Sequence, residues 1–271
     1  MKRKLLVLTA LLSLCVLLAA CKKSDDTIST PAASSAAEPE ATPEPTPAPP
    51  AANPLTGAAD ADYTGKRPVA VTLRNMTGST PQWGIASADV LVEGVTEGTT
   101  ASLMALYANP DSIAKAGPVG PARDLLLQVA LPLNAVPVHI NKNIYASNLL
   151  NTLAYQDLDG YHIGKTAFAF DQDRQNAGYA EENCWYTTAE LINSGLASYG
   201  VSLNGDNTPL FQFGERPAVD PADRSGMNLT ITFSPDDIDC LNYDTGTGLY
   251  ALSNGDGSPV QDADNGQQVG F

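Results

Sequence analysis

The chain has 271 residues, and 30 acidic residues against 15 basic ones give it a formal net charge of −15. A surface of this sign repels phosphate groups, so the composition excludes nucleic acid and anionic lipid headgroups as direct partners of the folded body. Acidity of this kind mainly serves solubility and by itself indicates no positive partner.

The amino terminus predicts a lipoprotein signal peptide over residues 1–20. Basic residues at positions 2–4 precede an apolar run over 5–20, and the run ends in Leu18-Ala19-Ala20-Cys21. This order is typical of a secretory signal, and a cysteine directly after the small residues is the acceptor of a diacylglycerol group. The alternative is a transmembrane helix, but the run is shorter than the ~20 residues that span a bilayer. We therefore expect lipidation at Cys21 and a location on the extracytoplasmic side of the cell membrane.

The composition of residues 21–52 predicts a linker that begins at the lipidated cysteine. Proline, alanine, serine, threonine and glutamate dominate this stretch, which has almost nothing apolar to bury. Such a composition favours an extended or disordered chain. A linker of this kind would carry the folded part away from the membrane surface.

Residues 53–214 predict an α/β domain, a mixed sheet with flanking helices. The expected strands cover residues 67–73, 89–92, 101–107 and 135–140. The expected helices cover residues 121–131 and 144–155, and a third begins at the capping box of residues 187–190 and ends near Gly200. Strands that alternate with helices in this way are typical of an α/β layer architecture.

Residues 227–271 predict a second, mostly antiparallel β domain. Polar and apolar residues alternate over 228–233, and residues 249–252 follow a turn, which together predict an antiparallel hairpin. Residues 213–226 are the expected connection. A further strand begins at residues 267–271, so we expect only the start of this domain, one too small to be stable alone.

The loop of residues 117–124 is the first candidate site. Gly117 and Gly120 allow backbone N–H groups to converge just before a predicted helix, whose amino terminus favours an anion. Arg123 adds a bidentate donor for a carboxylate or phosphate. The alternative is a tight helix start with Arg123 as an ordinary surface charge.

Glu93 and Glu97 follow an apolar strand and form a second candidate. Two carboxyl groups at a strand end suit acid–base chemistry of the glycosidase type. They are equally suited to pairing with Arg123 or to accepting hydrogen bonds from loop amides. Four-residue spacing in a turn does not decide between these interpretations.

The remaining reactive residues give weaker indications. Cys184 and Cys240 could form a disulfide, as exported proteins allow, or could be two buried thiols. A thiol–imidazole pair of Cys184 with His139 or His162 is conceivable, but a buried structural cysteine fits the local sequence better. The histidines show no metal-ligand spacing, so we expect no metal.

Asp171 and Arg174 lie on one side of a predicted turn. Their spacing predicts that the two side chains pair with each other. The sequence contains no nucleophile elbow, phosphate loop or dinucleotide fingerprint, so we expect no cofactor.

Several motifs together resemble the YerB-like lipoproteins (DUF3048), a family of unknown biochemical function. The matching segments are Asn53-Pro54-Leu55-Thr56-Gly57, Arg67-Pro68-Val69-Ala70-Val71, residues 81–90, Glu97-Gly98, Gly117-Pro118-Val119 and Ala122-Arg123. The resemblance implies that residues 53–214 form the amino-terminal family domain and that residues 227–271 begin its carboxyl-terminal domain.

The sequence also departs from the family pattern at positions that could line a family site. The departures are Ser102, Gly120-Pro121, Ile140-Asn141-Lys142 and the surroundings of Phe170-Asp171. Family positions that could bind a ligand are retained at Asp89, Glu97, Arg123, Asp171 and Arg174, and the family histidine stands at His139. The resemblance implies location and fold, but no reaction.

These observations predict a membrane-anchored lipoprotein that acts as a non-enzymatic binding or scaffold module in the cell envelope, near cell-wall synthesis. The expected partners are the membrane, through the lipid anchor, and an envelope protein or wall component. The alternative is a hydrolase or ligand-binding protein that acts on wall glycan or peptide through Glu93, Glu97 and Arg123. A cleft that gathers these three side chains would favour the alternative, and their dispersal would favour the binding module.

Overall fold

The computed structural model describes residues 52–59, 63, 65–205, 211–214 and 226–271. All of them belong to a compact unit, Ala48–Phe271, that is distinct from Met1–Pro47. The expected signal peptide, Cys21 and nearly all of the linker lie outside the described residues, as does most of the expected connection 213–226. None of the helices in the described part of the chain is long and apolar enough to cross a membrane.

A five-stranded mixed sheet forms the centre of the structure. Its strands are β1 (Val69–Leu73), β2 (Val90–Glu97), β3 (Thr100–Tyr107), β4 (Val136–His139) and β5 (Leu158–Asp159). Their order across the sheet is β2-β3-β1-β4-β5; β3 runs antiparallel to β1 and β2, while β1, β4 and β5 are parallel. The four strands expected within residues 53–214 are all present.

Both faces of this sheet are covered, as its sequence requires. All five residues of β1 are buried, which fits a central strand with a core on each side. Val71 belongs to a core that includes Ile192, whereas its neighbour Ala70 belongs to a second core with Leu126 and Ala130. Side chains that alternate across a strand thus supply two separate hydrophobic layers.

Five α-helices and a short two-stranded sheet surround this centre in the described part of the chain. The helices are α1 (Asp124–Ala130), α2 (Ile144–Leu153), α3 (Gly160–Ile163), α4 (Gln172–Asn176) and α5 (Ala189–Tyr199), and the small sheet pairs β6 (Ala169–Phe170) with β7 (Trp185–Tyr186). The two-residue strands and the shortest helices escaped the sequence analysis because they span too few residues to show a periodic pattern.

Two helix starts differ from the prediction. Helix α1 begins three residues later than expected, because the N–H of Ala122 donates to the carbonyl of Asn141 instead of entering a helix. Helix α5 is capped by Thr188, whose hydroxyl accepts the N–H of Leu191. The preceding Thr187 donates its hydroxyl to the Ala167 carbonyl instead, so the N-cap lies one residue further along than the expected capping box.

A separate three-stranded antiparallel sheet follows in the sequence. It consists of β8 (Asn228–Ser234), β9 (Asp237–Asp244) and β10 (Leu249–Asn254), in the order β10-β9-β8. The prediction of a hairpin between 228–233 and 249–252 was wrong, because β9 pairs with both and separates them. The fold class, a mixed α/β sheet followed by antiparallel β structure, is confirmed.

The carboxyl-terminal segment is built into the same core as the mixed sheet. Its backbone pairs with β10, and Leu252 and Val269 are buried in the core cluster that contains the β1 side chains. The fully buried carboxylate of Asp262 accepts the N–H groups of Gly84 and Ala86 at 3.1 and 2.9 Å. Described residues of both expected domains therefore stabilise one another directly.

Candidate functional site

A cavity of about 1060 Å³ lies between the mixed sheet and the three-stranded sheet. Strands β2 and β3 form one wall, and β8, β9 and β10 form the other. Apolar side chains line much of it, including Ile85, Leu91, Leu103, Ile231, Leu241 and Leu252. Its volume is at the upper end of the ~300–1,000 Å³ of typical ligand pockets. Because Ile231 is 43% exposed, the cavity opens to solvent beside β8.

Three carboxyl groups meet at one end of this cavity. Glu93 projects from β2, while Asp237 and Asp239 project from β9. Burial, together with the nearby charges of Asp239 and Asp237, raises the pKa of Glu93 to about 9. Glu93 also hydrogen-bonds to Asp239, and burial raises the pKa of Asp239 even though that bond opposes the rise. The arrangement therefore favours the protonated form of Glu93, with Asp239 as its hydrogen-bond partner.

The amide of Asn75 fixes the other side of the Glu93 carboxyl group. Asn75 Nδ2 donates to Oε1 of Glu93 at 2.5 Å, and Gln82 Nε2 donates to Oδ1 of Asn75 at 2.7 Å. Gln82 is itself buried and also donates to the carbonyl of Arg74. This chain of amides holds the carboxyl group in one orientation, as a binding site needs.

Glu97 and Arg123 do not line this cavity. The guanidinium of Arg123 faces Glu97, with Nε 2.7 Å from Oε1 and Nη2 donating to Oε2 at 3.0 Å. Of the interpretations that the sequence left open for Glu97, the structure shows the pairing with Arg123. A bulge in β2 between Val95 and Glu97 breaks the alternation that would have kept Glu97 on the Glu93 side. The sequence grouped Glu93, Glu97 and Arg123 together, but the structure separates Glu93 from the other two.

The two glycines of the 117–124 loop serve close backbone packing. A Cβ at Gly117 would lie 2.9 Å from the carbonyl oxygen of Trp185, and one at Gly120 would lie 3.1 Å from backbone atoms of Leu73 and Arg74. Their N–H groups donate to the carbonyls of Trp83 and Thr72. Because these donors are already used within the fold, the geometry favours the helix-start interpretation over an anion site.

Asp171 and Arg174 fix a loop and do not join their side chains as expected. Asp171 Oδ1 accepts the backbone N–H of Arg174, while Oδ2 pairs with Lys115 at 2.5 Å. The buried guanidinium of Arg174 donates to the carbonyls of Ser79 and Pro81 at 2.5 and 2.9 Å. The sequence missed this partnership because it spans more than 90 residues.

Trp83 lies between two cations. Lys115 Nζ is 3.7 Å from the centre of its ring, and the Arg174 guanidinium carbon is 4.3 Å from it. Contacts of this kind stabilise a desolvated cation against the face of an aromatic ring. Lys115 and Arg174 are therefore structural in this arrangement.

His139 belongs to a buried polar cluster at the ends of β4 and β5. Its Nε2 lies 2.9 Å from Oδ2 of Asp157 and its Nδ1 lies 2.9 Å from the carbonyl oxygen of Asn141. Lys142 Nζ approaches the carboxylates of Asp157 and Asp159 at 2.8 and 3.0 Å. Burial opposes ionisation of Asp157, but hydrogen bonds from His139 and Lys142 outweigh it and lower its pKa to about 2.

The contacts within this cluster also bear on whether it binds a metal ion. Ligand atoms of His139, Asp157 and Asp159 are close enough to share a metal ion. The ammonium group of Lys142, however, already contacts both carboxylates, so a metal would have to displace it. The geometry therefore describes an internal ion-pair network, one that spacing in the sequence did not reveal.

Both cysteines are free thiols in the structure. Cys184 is buried, and its Sγ lies 3.3 Å from the carbonyl oxygen of Ala180. Burial raises the pKa of this thiol, which disfavours a reactive thiolate. Since His139 is held by Asp157 and Asn141, the structure gives no thiol–imidazole pair.

Sequence reasoning missed Asp237 and Asp239 as site residues. They belong to β9, the strand that was not predicted, and lie more than 140 residues from Glu93 in the chain. The signal that could have found them is the alternation of acidic and apolar residues over 237–240, which is interrupted where Leu241 follows Cys240.

Comparison with known proteins identifies the family. A family model described as "Protein of unknown function (DUF3048) N-terminal domain" matches residues 55–202. The match covers more than half of the sequence, so the chain belongs to this family. The three-stranded sheet, with Asp237 and Asp239, lies beyond the matched region.

Two comparisons extend past that domain. The chain is 26% identical over 226 residues to a Bacillus subtilis (strain 168) protein named "Putative lipoprotein YerB", covering 80% of this chain and 63% of that protein. The chain thus spans less than two thirds of the length of this relative. The crystal structure of the YerB protein from Bacillus subtilis matches with a TM-score of 0.68 at 24% identity, over 81% of this chain and 71% of that one. The structural match shows the shared fold.

Proposed function

We propose that this protein is a lipid-anchored binding module on the extracytoplasmic face of the cell membrane, and that its body binds an envelope component in the cavity between the two sheets. The observation that carries the proposal is the cavity of about 1060 Å³, with apolar walls and a group of carboxyl groups at one end. A concave, largely apolar site with few convergent polar groups is the usual form of a ligand site.

The anchor and the linker support this location. The sequence predicts a diacylated Cys21, and a related protein carries the name of a lipoprotein. A fully extended linker of 21–52 would reach roughly 95 Å from the membrane at ~3.1 Å per residue. That reach suits a partner within the wall layer and agrees with a role near cell-wall synthesis.

The dispersal of the candidate catalytic residues supports binding over hydrolysis. A glycosidase needs two carboxyl groups on either side of one bond, at a separation of roughly 5–10 Å within one cleft. Glu93 lines the cavity, but Glu97 is paired with Arg123 outside it. The hydrolase alternative through Glu93, Glu97 and Arg123 therefore lacks its common cleft.

Photo-crosslinking in cells tests the proposal. Ile231→p-benzoylphenylalanine places the probe in the cavity, and Tyr199→p-benzoylphenylalanine places it on α5, away from the cavity, at similar exposure (43% and 48%). We expect irradiation of the tethered full chain to give adducts from position 231 and not from position 199. Absence of adducts at 231, or equal adducts at both positions, would refute binding in this cavity.

A further inference from the structure

Within the described part of the chain, the outer edge of β8 has no pairing strand, and it lies beside the cavity. Strand β8 pairs with β9 alone among the described strands, and residues Asn228 to Thr232 are exposed. The N–H of Tyr243 donates to the carbonyl of Met227. Because backbone groups of successive residues point to opposite sides of a strand, the N–H and C=O of Asn228, Thr230 and Thr232 point outward. Such an edge is a template for a further strand.

The side chains of β8 alternate in a way that suits this use. Leu229, Ile231 and Phe233 share one face of the strand, and the last two line the cavity. Leu229 and Ile231 are 41% and 43% exposed. A strand added to this edge would therefore continue the apolar wall with every second side chain and expose the others to solvent.

The charge of the cavity lining indicates which charge the added strand should carry. Five acidic residues line it: Glu93, Asp236, Asp237, Asp239 and Asp256. Among the described residues no lysine, arginine or histidine lines it. A ligand with a positive charge is the electrostatic complement of such a lining.

We infer that the occupant of the cavity is an extended peptide that adds to the outer edge of β8 and directs a lysine ammonium group toward Asp237 and Asp239. This inference rests on the proposed function, because it names the class of partner for the same site. Neighbouring strands lie about 4.8 Å apart, so a strand added to β8 lies about 10 Å from β9. A long lysine side chain beside Ile231, the residue paired with Asp239, can bridge this gap.

The probe is a labelled seven-residue peptide with blocked ends and the sequence Thr-Val-Thr-Lys-Thr-Val-Thr. Binding to the full-length lipoprotein in detergent micelles is measured by fluorescence anisotropy. One comparison peptide replaces the lysine with methionine, which keeps length and removes charge. A second carries N-methyl groups on alternate residues, which remove the backbone donors that would pair with β8.

Two kinds of variant test the two contacts. Asp237→Asn and Asp239→Asn remove the charges, and Asp173→Asn is the matched control, since Asp173 is an exposed residue of α4 outside the cavity. Thr230→Pro removes an outward N–H without removing a bond to β9, and circular dichroism checks that it folds. We expect each aspartate variant to weaken binding of the lysine peptide roughly fivefold or more, and the proline variant to abolish it.

Each result has a defined meaning. The inference is supported if the methionine peptide and the N-methylated peptide bind more weakly than the lysine peptide. The cavity variants must also bind the lysine peptide more weakly, while Asp173→Asn binds it as the wild type does. Equal binding of the N-methylated peptide overturns strand addition, and equal binding of the methionine peptide overturns the role of charge. A dimer that Thr230→Pro converts to a monomer makes a second copy the occupant. If no peptide binds while the crosslink at position 231 forms, the peptide class is wrong and the proposed function stands.

Discussion

Replacing Glu93 with glutamine should change how the stability of this protein depends on pH. Glu93 is held between Asn75 and Asp239 and has a pKa raised to about 9, against an ordinary value of 4.5. Glutamine has nearly the same shape, can accept from Asn75 and can donate to Asp239, but it does not titrate. The substitution therefore isolates the effect of the proton that Glu93 holds.

The size of the effect follows from counting that proton. Below pH 4.5 the carboxyl group is protonated in the folded and the unfolded chain, so its contribution to stability is fully present. As pH rises toward about 9, the unfolded chain has released the proton and the folded chain still holds it. The free energy of unfolding therefore falls by about 1.4 kcal/mol per pH unit from this group, or about 2.7 kcal/mol between pH 5.5 and 7.5.

Urea unfolding at pH 5.5, 6.5 and 7.5, at constant ionic strength, measures this difference. Relative to the wild type, Glu93→Gln should gain about 1.4 kcal/mol per pH unit. Glu97→Gln is the matched control, since it removes a carboxyl group from the same strand at a side chain that is 54% exposed. Parallel pH profiles of Glu93→Gln and the wild type would refute the buried, protonated carboxyl group.

Four further variants test other parts of the protein. Arg174→Met should cost about 2–4 kcal/mol in a urea melt, because the carbonyls of Ser79, which is buried, and Pro81 lose a charged donor. Arg123→Ala should cost less than about 1 kcal/mol in the same assay, because its partner Glu97 is largely exposed to solvent. A larger loss for Arg123→Ala than for Arg174→Met would contradict both assignments. Asp262→Asn should cost about 1–3 kcal/mol and speed hydrogen exchange at the amides it holds; unchanged exchange there would show that the contact is dispensable. Cys21→Ala should give uncleaved precursor or protein released into the medium, and mass spectrometry that finds an unacylated wild-type amino terminus elsewhere would disprove lipidation.

Local pattern alone identified most of the larger elements. Apolar runs marked β1, β3 and β4, because burial imposes such patterns on the sequence. Strand β9 was missed because its acidic residues, Asp237 and Asp239, stand where a sheet usually buries apolar side chains. Those residues face a cavity, which explains why the usual pattern is absent there.

In the candidate site, too, some contacts could be inferred from the sequence and others could not. The sequence could place Arg123 opposite the 93–97 segment, because strand ends and helix starts of an α/β sheet meet at one edge. It could not show that a bulge separates Glu97 from Glu93, since one inserted residue is invisible in composition and spacing. It could not show the partners of Arg174 and Asp262 either, because these contacts join segments far apart in the chain.

The sequence by itself determined the family, the α/β-then-β architecture and the expectation of a lipid anchor at Cys21. These depend on order along the chain, on short motifs and on periodic burial, all of which are local. Only the tertiary structure decided which side chains share a site. Glu93 meets Asp239 because two sheets pack against each other, and the pKa of Glu93 rises because that packing removes water from both carboxyl groups.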